Sequence, residues 1–160
     1  MPLRKPTWLR FSLAGLLVAM IPLGIGFAWL KHHLDARPVA WVPYDAAEVD
    51  RHVRSGRIVL VDFFANWDLV TTYHRRFAVE TADVNRWIRT HGVVPMHADW
   101  TDGSPHIQAA LRSLGQDSIP LVVVYPASRA ARPIVLRDLM TKEQVLDALD
   151  RAARASQSPP

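Results

Sequence analysis

Asp68 and Thr71 stand three residues apart at the start of a helical pattern, directly after Trp67. A carboxylate and a hydroxyl at that spacing share one helix face. They offer an acid or base beside a weak nucleophile, or simply a helix cap. Asp is a favoured N-cap, stabilising by about 0.5–2 kcal/mol relative to Ala. A nucleophile needs an activating base within hydrogen-bond reach, and none stands at readable spacing. The chain contains no cysteine. Thiol–disulfide exchange needs a thiolate, so that chemistry is excluded whatever the fold. Seven histidines raise the question of a metal. His32 and His33 are adjacent and diverge on a helix. His74, His91, His97 and His106 lack the H-x-x-x-H and H-E-x-x-H spacings of zinc sites. No metal and no other cofactor is expected. No Gly-rich phosphate loop and no G-x-S-x-G elbow is present.

The elements around these residues read clearly. Asp45 with Glu48 fits a capping box, opening a helix to Arg54 that Gly56 stops. Residues 57–65 form a near-continuous apolar, β-branched run, the pattern of a strand buried on both faces. A long helical stretch starts near Asp68, and Thr81 re-caps a second piece that ends at Gly92. Residues 93–99 read as the next strand. Ser104-Pro105 opens a helix closed by Gly115. Residues 120–125 and 133–137 read as two further strands joined by a turn. Thr141 with Gln144 opens a last helix to about Ala153, and the Ser/Pro-rich tail, residues 156–160, is expected to be frayed. Strands separated by helices imply parallel pairs, and the turn near residue 129 implies one antiparallel hairpin.

The net charge of +4 is unevenly placed. Residues 1–40 hold five Lys/Arg against one acid, whereas residues 41–160 hold fourteen of each sign. A nucleic-acid binder carries its basic excess on the folded domain, so no nucleic-acid partner is expected. The excess instead flanks residues 11–30, twenty residues without a charge. As a helix these rise about 30 Å, the thickness of a bilayer core. After Leu30 the sequence KHHLD offers no small-x-small cleavage site. A single-pass anchor is therefore expected at residues 11–30, after a flank at 1–10 and before a linker at 31–40. Three basic residues precede the span and two follow it, which favours a cytoplasmic N-terminus by a small margin.

Four strings in order resemble the thioredoxin-like family, in particular domains related to the C-terminal domain of the disulfide-interchange protein DsbD. They are VDFFANW at 61–67, HADWTDGSP at 97–105, SIPLVVVYP at 118–126 and LRDLMTKEQVLDAL at 136–149. The resemblance covers roughly residues 41–153. It implies an α/β thioredoxin-like fold over residues 41–155, with a central mixed sheet flanked by helices. The family's Trp-Cys-x-x-Cys would place its cysteines at Asp68 and Thr71, so this chain is expected to be redox-inactive. The resemblance further implies that Pro120 is the family's cis-proline, next to a groove for extended polypeptide formed by Trp67, Asp68, Ile119 and Pro120. Asp62 matches the family's buried aspartate. His97 falls on a strand expected beside it, which makes Asp62 and His97 candidates for a buried polar pair.

The expected function is a membrane-anchored binding module for a protein or extended peptide in envelope folding or assembly. The domain would lie outside the cytoplasmic membrane. Two alternatives are a structural subunit of a membrane complex and a non-redox enzyme using Asp or His acid–base chemistry.

Overall fold

A computed structural model describes residues 38–157. The expected flank, the span at residues 11–30 and most of the linker lie outside the described residues. Among the described residues no helix is long and apolar enough to cross a membrane.

The chain enters through a two-residue strand, β1 (Val42–Pro43), and helix α1 (Ala46–Arg54). Asp45 caps α1 by accepting the Ala47 and Glu48 amides, while Glu48 turns to Arg51 instead of reaching back. Strand β2 (Val59–Phe64) is buried along its whole length, as its unbroken apolar run requires. Helix α2 (Leu69–His74) continues as a π-helical segment, Arg75–Val79. Thr81 then caps α3 (Ala82–His91), and Gly92 ends it in the left-handed conformation at φ 63°. Strand β3 (Val94–Asp99), helix α4 (Pro105–Ser113), strands β4 (Leu121–Tyr125) and β5 (Ile134–Arg137), and helix α5 (Lys142–Gln157) complete the order. Thr141 and Gln144 form a reciprocal capping box at the start of α5.

The five strands make one mixed sheet in the order β1-β3-β2-β4-β5. One face packs against the π-helical segment, α3 and α5 through Leu60, Val79, Val84, Ile88, Val145 and Leu149. The other packs against α1 and α4 through Val49, Val61, Phe63, Met96, Ile107 and Leu111.

The structure differs from the sequence reading at four places. Val42–Pro43 is an edge strand, parallel to β3, where the sequence reading placed no element; two residues are too few to carry a periodic signal. β4 runs antiparallel to β2, although helices separate them in sequence. Leu121 pairs with Phe63, so the segment holding α4 leaves and re-enters the sheet at the same end. The long helix after Asp68 changes to π geometry at Arg75. Finally, α5 runs on to Gln157, because the Ser156 hydroxyl is used. It accepts the Ala127 amide at 2.7 Å and contacts the Ala152 carbonyl at 2.7 Å. Residues 158–160 lie outside the described residues.

Ser156→Ala removes that acceptor from a part-buried amide. It should lower unfolding free energy by about 1 kcal/mol, measured by chemical denaturation.

Candidate functional site

The loop after β2 is tied to the loop after β3. The Trp100 amide donates to the Phe64 carbonyl at 2.8 Å, and the Asn66 amide to the Thr101 hydroxyl at 2.9 Å. The Trp67 indole N–H donates to the Thr101 carbonyl at 3.2 Å. The indole is thus held by its polar end while the residue stays 63% exposed.

Asp68 caps α2 with both carboxylate oxygens. Oδ1 accepts the Val70 amide at 2.9 Å, and Oδ2 accepts the Thr71 hydroxyl at 2.6 Å. Thr71 is buried. Its hydroxyl donates to a carboxylate and lies away from solvent, an arrangement that satisfies polar groups and leaves no accessible nucleophile. One turn on, His74 is also buried, and its Nε2 accepts the Met140 amide at 3.1 Å. That bond fixes the tautomer with the proton on Nδ1. It fastens α2 to the start of α5. Burial pushes the His74 imidazole below its ordinary pKa, and the Asp68 carboxylate partly opposes this.

The Ile119–Pro120 peptide is cis, as the resemblance implied. Pro120 directly precedes β4, whose first residue pairs with Phe63. It therefore stands at the end of the sheet from which β2 runs out toward Trp67 and Asp68. Beside these residues the outer side of α2 is apolar and open. Leu69 is 84% exposed, and Tyr73, Phe77 and Leu139 are exposed as well. The Tyr73 and Phe77 rings lie 4.6 Å apart. Both line a cavity of about 460 Å³ with Leu139 and Met140.

Asp62 is 1% exposed and in register with His97 on the neighbouring strand. The two do not form the simple buried pair expected from sequence. The half-buried His97 places Nε2 3.4 Å from Glu80 Oε1, at the outer limit of hydrogen bonding. The nearest cation to Asp62 is Arg75, with Nε 3.8 Å from Oδ2. Arg75 also donates to Glu80 at 2.9 Å and stacks over Phe64, 4.2 Å from the ring centre. Trp41 covers His97, ring on ring at 4.3 Å. The pair is thus a chain of four charged or titratable groups, Asp62, Arg75, Glu80 and His97. Sequence reasoning missed Arg75 and Glu80. Five residues apart, they diverge on an α-helix but meet where the backbone bonds i to i+5. Burial raises the Asp62 pKa to about 7, against the opposing Arg75 charge. Contact with His97 and Arg75 holds Glu80 below the usual carboxylate range. Among the described residues no three His, Asp or Glu side chains converge as a metal site requires.

These geometries predict distinct behaviours. The folded Asp62 carboxyl keeps its proton to about pH 7, whereas an unfolded one releases it near 3.8. The stability it supports is full below about pH 4 and is lost as pH rises through 7, by ~4 kcal/mol at most. Asp62→Asn should flatten that decline and raise stability at alkaline pH. His74 acts in the opposite sense. Its depressed pKa makes stability full above 6.5 and falling as pH drops below it. Denaturation midpoints across the pH range read both. Asp68→Ala should cost on the order of 0.5–2 kcal/mol. Adding Thr71→Val should cost less than the sum of the separate changes, because the two side chains share one bond.

Comparisons with known proteins agree with this architecture. A thioredoxin-like family model matches residues 40–127. A comparison with curated proteins finds no match. Among solved structures, a thioredoxin from Thermus thermophilus is similar at 18% identity and TM-score 0.61, covering 74% of this chain and 90% of that one. The oxidised Neisseria meningitidis DsbD C-terminal domain is similar at 17% identity and TM-score 0.53, covering 71% and 99%. Its reduced form is similar at 16% identity and TM-score 0.53, covering 68% and 96%. At these identities the likeness speaks for the fold alone. With a family model matched over more than half its length and no cysteine anywhere in it, the chain belongs to the thioredoxin-like family.

Proposed function

We propose that this protein is a membrane-anchored, redox-inactive thioredoxin-like domain that binds a protein segment in extended conformation. The binding face comprises Trp67, Asp68, Ile119 and Pro120. The observation that carries this reading is Trp67, a large aromatic 63% exposed yet held in place by its bond to Thr101. Exposed, pre-positioned aromatics are typical binding anchors. The apolar side chains of Leu69, Tyr73 and Phe77 extend the same face. Contiguous exposed apolar surface marks interaction sites. An extended segment would draw affinity from main-chain hydrogen bonds and specificity from the side-chain pockets beside them. The Asp68 carboxylate favours amide N–H or basic groups over acidic ones.

The anchor is the uncharged run at residues 11–30, and the domain lies on the extracytoplasmic side, serving folding or assembly at the envelope. The charge asymmetry and the resemblance to DsbD domains support this side. The acid–base enzyme reading is weaker, since Thr71 is buried, Asp68 is occupied as a cap, and Asp62, whose carboxyl holds its proton toward neutral pH, is shut off from solvent. The structural-subunit reading draws on the same apolar stripe, and the test separates the two. Trp67→Ala should weaken partner capture by ~2 kcal/mol or more while leaving the fold intact. Asp68→Lys should weaken it too. Capture that survives both changes but disappears without residues 1–30 would favour the structural subunit.

The purified protein should not reduce insulin above a matched blank. Asp68→Cys combined with Thr71→Cys should introduce measurable exchange, because α2 already brings the two side chains within bonding distance. Reduction by the cysteine-free protein would contradict the reading.

A further inference from the structure

A second site lies at the other end of β2. A cavity of about 710 Å³ opens beside β1 and the N-terminal end of β3. Val39, Val42 and Pro95 give it apolar walls, while Arg51, His52 and Arg57 bring basic groups to it. Arg89 also lines it, and Glu48 is the acid among its lining residues. Glu48 is paired with Arg51. Arg57 donates to the Gly92 carbonyl at 3.1 and 3.3 Å, and no carboxylate among the described residues pairs with it. Three arginines against one glutamate give the lining a formal positive excess, on a domain that is formally neutral as a whole.

Position gives this excess a partner. The cavity wall begins at Pro38, and the uncharged run ends at Leu30. The seven residues between them reach at most about 25 Å when extended. They include Lys31 and Arg37 against Asp35. A bilayer holding residues 11–30 is thus within tether reach of the cavity. Arg57 precedes β2 and Trp67 follows it, and a six-residue strand is about 20 Å long.

We infer that this basic cavity docks the anionic phospholipid headgroups of the bilayer in which residues 11–30 are embedded. The guanidinium groups of Arg51 and Arg57 meet lipid phosphate, and the apolar walls meet the glycerol carbons. Docking at this end turns Trp67, Asp68 and Pro120 away from the membrane, toward an incoming segment. The inference rests on the anchored reading and adds to it the orientation of the domain and the lipid class.

The absence of native cysteine makes the test direct. In the full chain, Ser55→Cys places a single fluorophore near the cavity, and Ser118→Cys places one near Pro120. Each labelled protein is reconstituted into vesicles of phosphatidylcholine alone or mixed with phosphatidylglycerol, both containing a headgroup-spin-labelled quencher. With phosphatidylglycerol, quenching at position 55 should exceed that at 118 roughly twofold or more, and high salt should erase the excess. Arg51→Glu with Arg57→Glu should erase it as well. Equal quenching at the two positions, or an excess indifferent to lipid charge and salt, would overturn the docking. Retention of the chain after alkaline carbonate washing reports the anchor separately. A chain washed from both vesicle types would overturn the anchor and the docking together. A retained chain with no charge dependence would overturn the docking alone.

Discussion

One carboxylate holds the end of the sheet where the proposed binding face is built. Asp68 Oδ1 takes an amide of the first turn of α2, and Oδ2 takes the hydroxyl of Thr71. The resemblance places two cysteines at these positions. Here a hydrogen bond at 2.6 Å joins them instead. The start of α2 keeps its cap and an internal tie without sulfur. Trp67 precedes this anchor and is itself bound to the loop after β3. His74 follows it by six residues and reaches across to the start of α5. From Trp67 to His74 the chain is therefore capped from within and fixed by polar bonds to two other parts of the fold, the loop after β3 and the start of α5. Its apolar side chains at Leu69 and Tyr73 are left facing solvent.

Beneath this helix the scaffold retains a buried acid. Asp62 lies in the central strand with an oxygen that finds no hydrogen-bond partner. Burial of an uncompensated carboxylate is costly, and the proton that Asp62 retains toward neutral pH is the physical response. Arg75 approaches it without forming a hydrogen bond and directs its own bonds to Glu80. The π-helical segment makes this possible by bringing residues 75 and 80 to one side. π-helical turns commonly occur at functional sites. In this chain the turn joins α2 to a titratable cluster that Trp41 and Phe64 partly cover.

The divide between what sequence and structure each reveal follows the range of the interactions. Asp45, Thr81, Gly92 and the Thr141–Gln144 box act within a few residues, and each ends or begins a helix where its chemistry places it. β2 is recognisable because burial on both faces leaves an unbroken apolar run. The four family strings fix the order of the remaining elements. What escaped depends on distant partners or on altered helical periodicity. β1 is a strand only because Met96 and His97 lie beside it. The direction of β4 depends on where the α4 segment re-enters the sheet. Arg75 and Glu80 meet through a π turn that no local residue pattern announces. Trp67, Asp68 and Pro120 could be nominated from sequence, but the Thr101 bond that fixes the indole requires two loops to meet.

The central claim is that the Trp67 end of the sheet is the working face of a domain that binds without exchanging disulfides. Site-specific photocrosslinking in intact membranes tests it most directly, with the crosslinker placed at the exposed position 69 or at position 129. Arg129 lies in the turn between β4 and β5, at the end of β4 remote from Pro120. The account predicts a discrete protein adduct from position 69 that is absent from position 129 and lost with Asp68→Lys. Adducts of equal yield from both positions, or from position 129 alone, would contradict it.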